Sequence, residues 1–304
     1  MKLLLTGAFQ YSDKQMNRLK SLGYEIVFIQ DERVPLQINV SDINAVVCNS
    51  LFSFNDIIQF KSLKFIQLTS AGLDRVPLDY INEHEIKLFS AKGVYSIPMA
   101  EWVVLKVLEI YKKSKQFYDA QQSHNWGKHR DLLELTDKTA AIIGFGSVGS
   151  EIAKRLKIFG VNVMGIGRRK IKSPLIDEYY NIDDLDQAIK KCDIIILTLP
   201  LTEETYHLID ANIIAKMKKN SILINVSRGG VINEDELIKV LKEEKFLGVA
   251  LDVFEEEPLP VESPLWDFNR VIVTPHNSFV SEKTNERLFT TLEKNLQEFI
   301  NLNN

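Results

Sequence analysis

The stretch TAAIIGFGSVGSEIAKRLKIFGVNVMGIG, residues 139 to 167, constrains the fold more tightly than anything else in the chain. A short buried-type strand (TAAIIG) runs into a glycine loop that fits GxGxxG. An amphipathic helix (SEIAKRLKIFG) leaves the loop, and a second strand (VNVMGIG) follows at the distance of a βαβ unit. In that setting Gly144 permits the tight turn, Gly146 lets the backbone approach a pyrophosphate, and Gly149 lets the helix pack on the strand. The unpaired amides of the first helical turn, at Ser147 and Val148, face the anion. The pattern predicts a Rossmann-type dinucleotide site. A ligand-free glycine turn is the ordinary alternative, and the strand-loop-helix-strand context weighs against it. TGAF near Gly7 lacks the other glycines and is a weaker match.

The second strand ends in GIGRRK, where many dinucleotide folds carry an acid that bonds the ribose 2′-hydroxyl. Here Gly167 leaves room beside Arg168 and Arg169, with Lys170 and Lys172 adding charge, which favours the 2′-phosphate of NADP. A solvated basic loop is the plain alternative. A charge-assisted contact to phosphate contributes roughly 1.5 to 3 kcal/mol, so the pair predicts a preference of about ten- to a hundred-fold while leaving NAD possible.

Around this unit, short β-branched or leucine-rich runs alternate with helical patterns twice over. The first series holds KLLLTG, YEIVFIQ, AVVCN, FIQLTS and IKLFSA, read as about five parallel strands. A long helix follows, with Ser96 expected to cap it, Pro98 suited to its first turn and Glu101 to its positive end. After the irregular HNWGKHRDLLELTDK, the second series holds TAAIIGFG, VNVMGIG, DIIILTLP, SILINVS, FLGVALDVF and RVIVTP. At 304 residues, two α/β domains are the expectation. The last pattern places Leu288, Leu292, Leu296 and Phe299 on one apolar stripe, which needs a surface to dock on. A net charge of −4 argues for no nucleic acid and no anionic membrane as partner, and no run approaches the length of a membrane span. Cys48 and Cys192 lie in apolar contexts without metal-ligand spacing. They predict no metal site and a reduced compartment, and with MKLLLTGAF too short for a signal-peptide core a cytoplasmic setting is expected.

Three later strands each end in a residue that catalysis uses: SILINVS leads to Arg228, FLGVALDVF to Glu255, Glu256 and Glu257, and RVIVTP to His276. If the strands are parallel, their carboxyl ends share the edge where the glycine loop holds its ligand. Each has a bland reading: a surface ion pair for Arg228, a solvated acidic turn for Glu257, a core histidine for His276. His84, His124, His129 and His207 lack such a setting and read as structural or exposed.

NVSRGGVINEDELIKVL, ALDVFEEEPLP, SPLW and VIVTPHN, in that order and spacing, resemble successive motifs of the D-isomer-specific 2-hydroxyacid dehydrogenases, and the resemblance covers nearly the whole chain. It implies that Arg228 binds the substrate carboxylate, that His276 is the general acid/base, and that Glu257, directly before Pro258, orients the histidine. Asp252 resembles a nicotinamide-amide contact. The resemblance also implies that Leu199, Pro200 and Thr205 in LPLTEET, with Val226, Ser227 and Ser278, line the cofactor cleft. LTSAGLD resembles a loop whose amides at Ala71 and Gly72 hold the carboxylate. After His276 the chain reads NSFVSE rather than the commoner glycine-containing form. The implied architecture is a flavodoxin-like substrate domain, residues 1 to 96 plus 281 to 304, with a Rossmann cofactor domain, 97 to 280, inserted. A homodimer through the cofactor domain and the arm around Trp126 is also implied, with that indole approaching the neighbour's active site.

The expected reaction is reversible hydride transfer between NADPH and a small 2-keto acid or D-2-hydroxy acid in an interdomain cleft. Leu51, Phe52 and Tyr95 are expected to shape an apolar side-chain pocket, which disfavours a phosphorylated substrate and leaves glyoxylate, hydroxypyruvate and branched or aromatic keto acids open. A formate dehydrogenase is an alternative, and Glu257, where such enzymes carry glutamine, argues against it. A nucleotide-sensing corepressor-like regulator is another, disfavoured because the sequence offers no peptide-binding tail or nuclear-type basic segment.

Overall fold

Among residues 1 to 303, which the computed structural model describes, twelve strands build two all-parallel sheets, each inside its own unit of the chain. One unit comprises Met1–Tyr95 and the segment from Ser281 onward, and the other comprises Ser96–Val280.

The first sheet holds β1 (Lys2–Thr6), β2 (Glu25–Ile29), β3 (Ala45–Cys48), β4 (Phe65–Leu68) and β5 (Lys87–Phe89) in the order β2-β1-β3-β4-β5, the flavodoxin-like winding. Its inner strands are apolar without alternation because both faces are covered: every residue of AVVC and FIQL is buried. The edge strand EIVFI stays partly exposed. The terminal helix, Thr284–Asn303, answers the docking question raised by its stripe. Leu288, Phe289, Leu292, Leu296, Phe299 and Ile300 are buried in one cluster with Leu3, Leu5, Leu19 and Phe65. Polar contacts fix its register: Asn295 Nδ2 donates to the buried Gln67 Oε1 at 2.7 Å, and the Tyr24 hydroxyl donates to Leu296 O at 2.8 Å.

The second sheet holds β6 (Thr139–Ile143), β7 (Asn162–Gly167), β8 (Glu178–Asn181), β9 (Ile194–Leu197), β10 (Ile222–Asn225), β11 (Gly248–Leu251) and β12 (Val271–Val273), ordered β12-β11-β10-β9-β6-β7-β8. From β6 the chain runs outward through β7 and β8, then returns to β9 on the other side, so the winding reverses beside β6. Such a switch point opens a crevice at the carboxyl ends of the strands. Six of these strands are legible as apolar runs. The seventh, EYYN, is an edge strand with two half-buried tyrosines and exposed ends, and an edge needs no continuous apolar run. The helix expected after Ser96 spans Ser96–Tyr111, with Ser96 inside it: the hydroxyl is buried and makes no hydrogen bond, so it caps nothing. Cys48 and Cys192 are free and buried, and burial pushes both thiols up. Among the described residues no helix is long and apolar enough to cross a membrane.

The terminal helix should be a main source of stability for the first unit. Leu292→Ala, at a position with no exposed surface, should cost about 2 to 5 kcal/mol in urea unfolding.

Candidate active site

The glycine loop follows β6 at the switch point. Gly144 has φ +94°, and a Cβ there would stand 2.6 Å from Leu199 N. A Cβ on Gly149 would stand 2.9 Å from both Gly144 O and Ile142 Cγ2, so the helix Ser147–Ile158 lies directly on its strand. Gly146 differs: a Cβ there would meet nothing within 4 Å. It is the N-cap of that helix, whose first amides, at Ser147, Val148 and Gly149, have no partner within the helix. Open space before a helix start suits a pyrophosphate, and these residues fit the dinucleotide.

At the end of β7, Arg168 and Arg169 are exposed. Arg168 Nη1 stands 3.7 Å from Glu204 Oε1 in the neighbouring loop. Hydrogen bonding to Thr202 holds the Glu204 carboxyl below its ordinary value, with Arg168 assisting. The room beside Gly167 is shared with Tyr179: a Cβ would stand 3.1 Å from its hydroxyl, which donates to Arg169 O at 2.6 Å. In the loop after β9, Leu199 is buried, and the Thr205 hydroxyl donates to Pro200 O at 2.8 Å and accepts from Thr202 N at 2.7 Å. Thr205 thus shapes that loop from within.

The three candidate catalytic residues follow β10, β11 and β12, which are neighbours in the sheet. At the end of β10, buried Asn225 folds the turn. Its Oδ1 accepts from Ser227 N at 2.9 Å and from Ser227 Oγ at 2.7 Å, and its Nδ2 donates to Arg228 O at 2.9 Å. Arg228 leaves this turn in extended conformation, one guanidinium nitrogen donating to Ser227 O. Val226 and Ser227 are buried within it. Next to Arg228, a Cβ on Gly229 would fall 1.8 Å from Phe254 C. The arginine segment is therefore pressed onto the turn that carries the glutamates.

That turn closes on Glu257. Its Oε1 accepts from Phe254 N at 3.1 Å, and its Oε2 lies 2.8 Å from His276 Nδ1. Of the three adjacent glutamates, this one reaches His276. An ionised carboxylate only accepts, so Nδ1 carries the shared proton and Nε2 is left to exchange one. His276 sits in the left-handed region, φ +49°, uncommon for a residue with a side chain. The cause is Asp252, which has no exposed surface. Its carboxylate accepts from Thr274 Oγ1 at 2.5 Å, Asn277 N at 2.8 Å and Ser278 N at 2.9 Å, drawing the chain around His276. Within this unit the Asp252 carboxylate is thus engaged by three protein donors. Burial raises the Glu234 carboxyl at the start of the helix Glu234–Lys242, with the charges of Glu255, Asp235 and Glu257 adding and the Glu255 amide opposing.

In the other unit, the Tyr95 hydroxyl donates to Thr69 O, and Ser70 Oγ donates to Gly72 O at 3.0 Å, which restrains the loop bearing Ala71 and Gly72. Burial raises the Tyr95 hydroxyl to about 12. Leu51 is fully buried in the core, so its side chain supports the loop rather than offering a contact, whereas Phe52 is half-buried. Sequence reasoning missed Asn225, Thr274 and the pairing of His207 with Glu255, whose partners lie 2 to 48 positions away without periodicity.

Residues 104 to 278 match the family model described as "D-isomer specific 2-hydroxyacid dehydrogenase, NAD binding domain". The chain belongs to this family. It is 34% identical over 242 residues to a glyoxylate reductase of Thermofilum pendens, covering 77% of this chain and 71% of that one. It is 34% identical over 245 residues to a D-3-phosphoglycerate dehydrogenase of Methanocaldococcus jannaschii, covering 79% of this chain but only 46% of that longer relative. Among solved structures, a glyoxylate reductase from Paecilomyes thermophila superposes with TM-score 0.85 at 25% identity, over 98% of this chain and 94% of that one. As a member of the D-2-hydroxyacid dehydrogenases, the chain is an oxidoreductase with a nicotinamide-binding domain.

Two glycine substitutions separate binding from packing. Gly146→Ala should leave the unfolding midpoint nearly unchanged while weakening dinucleotide binding about tenfold, because its Cβ would enter the open anion site. Gly229→Ala should instead destabilise the protein by about 1 to 3 kcal/mol or more, since the methyl overlaps backbone. Fluorescence titration with the dinucleotide and urea unfolding distinguish the two.

Proposed function

We propose that this chain is an NADP-preferring reductase of small 2-keto acids, glyoxylate, hydroxypyruvate or an apolar analogue, acting reversibly on the corresponding D-2-hydroxy acids. The observation that carries the reading is the His276–Glu257 pair, with Nε2 left for proton exchange, on the same sheet edge as Arg228 and the glycine loop. The nicotinamide, when bound, supplies or accepts the hydride at the substrate carbon.

The chain's own residues do the rest. Arg228 offers a fork of donors to the keto-acid carboxylate and draws density from the carbonyl as its oxygen gains charge. His276 gives a proton from Nε2 to that oxygen in reduction and takes it back in oxidation. Glu257 fixes the ring and balances its charge while the ring is protonated, held in turn by Phe254 N. Ala71, Gly72 and Tyr95 are assigned to the substrate, whereas Leu51, expected in the side-chain pocket, is a core residue behind the loop. Ser278 and the LPLTEET loop are assigned to the cofactor cleft, and Asp252, its carboxylate taken up by three protein donors, acts toward the nicotinamide end by holding that segment rather than by bonding the amide. Two exposed arginines and no acid at the end of β7 support NADP over NAD, and the carboxylate at Glu257 speaks against formate dehydrogenase chemistry. The buried free thiols accord with a cytoplasmic setting. A homodimer is part of the proposal, with Trp126, 94% exposed in this single chain, as a contact, and light scattering on purified protein tests it.

Oxidation of NADPH and NADH should be followed against a panel of 2-keto acids. His276→Gln should lower kcat by about two to four orders of magnitude with NADPH binding retained, and near-full activity would refute the assignment. Arg228→Ala should raise KM as well as lower kcat. Replacing both Arg168 and Arg169 with alanine should raise KM for NADPH about ten- to a hundred-fold, with little change for NADH. Better turnover of NADH by the native protein would refute the NADP reading.

A further inference from the structure

A second histidine–glutamate pair stands in the same unit, and the chemistry above does not use it. His207 Nε2 lies 2.8 Å from Glu255 Oε1, and His207 Nδ1 lies 3.3 Å from Asn233 Nδ2. Asn233 caps the helix Glu234–Lys242, its Oδ1 accepting from Glu236 N at 3.1 Å. With Oδ1 committed to the helix, the amide presents its NH2 to the ring, so Nδ1 accepts and Nε2 holds the proton donated to Glu255. Glu255 is also tied to the start of that helix from both ends: its Oε1 accepts from Glu234 N at 3.1 Å, and its own N donates to Glu234 Oε1 at 2.6 Å. A carboxylate suits that position, because the helix start carries partial positive charge.

The network touches both segments that carry the chemistry. His207 N donates to Gly230 O at 2.8 Å, two residues beyond Arg228. Tyr206 stacks on the His207 ring at 3.9 Å and covers Gly230. Glu255 lies inside the turn that Phe254 N and Glu257 Oε1 close, and that turn abuts Gly229. Any movement of Glu255 away from Glu234 therefore moves the base on which Glu257 meets His276. Like His276, His207 is held at positive φ, +51°, so its ring is aimed by a constrained backbone.

We propose that His207 is a positioning residue: through Glu255 it fixes the turn that holds Glu257 against His276. The proposal rests on the reductase reading, and its test separates the two. His207→Phe keeps a ring stacked on Tyr206 but removes both hydrogen bonds. It should lower kcat roughly ten- to a hundred-fold, with the NADPH dissociation constant changed less than about twofold. His207→Gln, whose Nε2 can donate to the same carboxylate, should recover most of that kcat. Spectra of 15N-histidine-labelled protein should show the His276 ring signals displaced in His207→Phe and returned in His207→Gln. Glu255→Ala breaks the pair from the other side and carries the same expectation if the phenylalanine variant does not fold. Unchanged kcat with unchanged His276 signals overturns the proposal, as does a lowered Tm alone or a glutamine variant no better than phenylalanine. If the native protein reduces no 2-keto acid, the reductase reading fails, and the His276 signals still decide the coupling: unmoved signals overturn it.

Discussion

The buried carboxylate of Asp252 is the constraint on which the candidate site depends. It stands just beyond β11, accepts from Thr274 at the end of β12, and gathers the amides of Asn277 and Ser278. A carboxylate without exposed surface is costly unless its oxygens are satisfied, and here three donors from one neighbouring segment satisfy them. The exchange runs in both directions. The donors make the burial tolerable, and the carboxylate makes the bend at His276 tolerable. Without the bend, the ring would not face Glu257.

The parallel sheet makes so few contacts sufficient. In a parallel sheet the carboxyl ends of neighbouring strands lie along one edge, so β10, β11 and β12 deliver their following segments side by side. What remains is to lock each segment within a few ångströms, and the chain does so with backbone contact at Gly229 and with side chains that bond to main chain: Asn225, Asp252 and Glu257. Each spends its polar atoms on backbone a few to some twenty-six residues away. Glycine at 229 is demanded by space rather than by dihedral angle, whereas Gly144 is demanded by both.

Much of this could be read from the chain. The two α/β series, the glycine loop and the docking stripe of the terminal helix rest on periodicity and on local motifs, which sequence carries directly. Arg228, His276 and the group of three glutamates were reachable because strand ends in a parallel sheet share an edge, a topological fact that needs no coordinates, whereas the choice of Glu257 among the three came from the family resemblance. The exposed-edge strand Glu178–Asn181 was not legible, since two tyrosines between polar residues give no apolar run. Nor were the clamps. Asp252 was noticed for a cofactor contact rather than as a clamp, because Thr274, Asn277 and Ser278 reach it only when strands twenty or more residues apart lie together, and the Asn225 turn, though local, has no periodicity to mark it. His207 read as structural or exposed, with no way to name its partners, because Asn233 and Glu255 are 26 and 48 positions away.

Both histidines that meet a glutamate in this unit, His276 and His207, hold positive φ. A side-chain-bearing residue in the left-handed region costs on the order of 1 kcal/mol, and glycine or asparagine would take either position more readily. The strain persists because other bonds over-determine it: the amides after His276 are held by Asp252, and His207 N is held by Gly230 O. Relief of strain alone would favour replacing both histidines, so stability does not account for them. What the left-handed turn gives is direction. At each histidine the left-handed turn coincides with a ring set against a carboxylate. At His276 that direction leaves Nε2 available on the sheet edge, while at His207 both ring nitrogens are consumed by protein partners. The same backbone device thus serves one histidine that can exchange a proton and another that can only hold a turn in place.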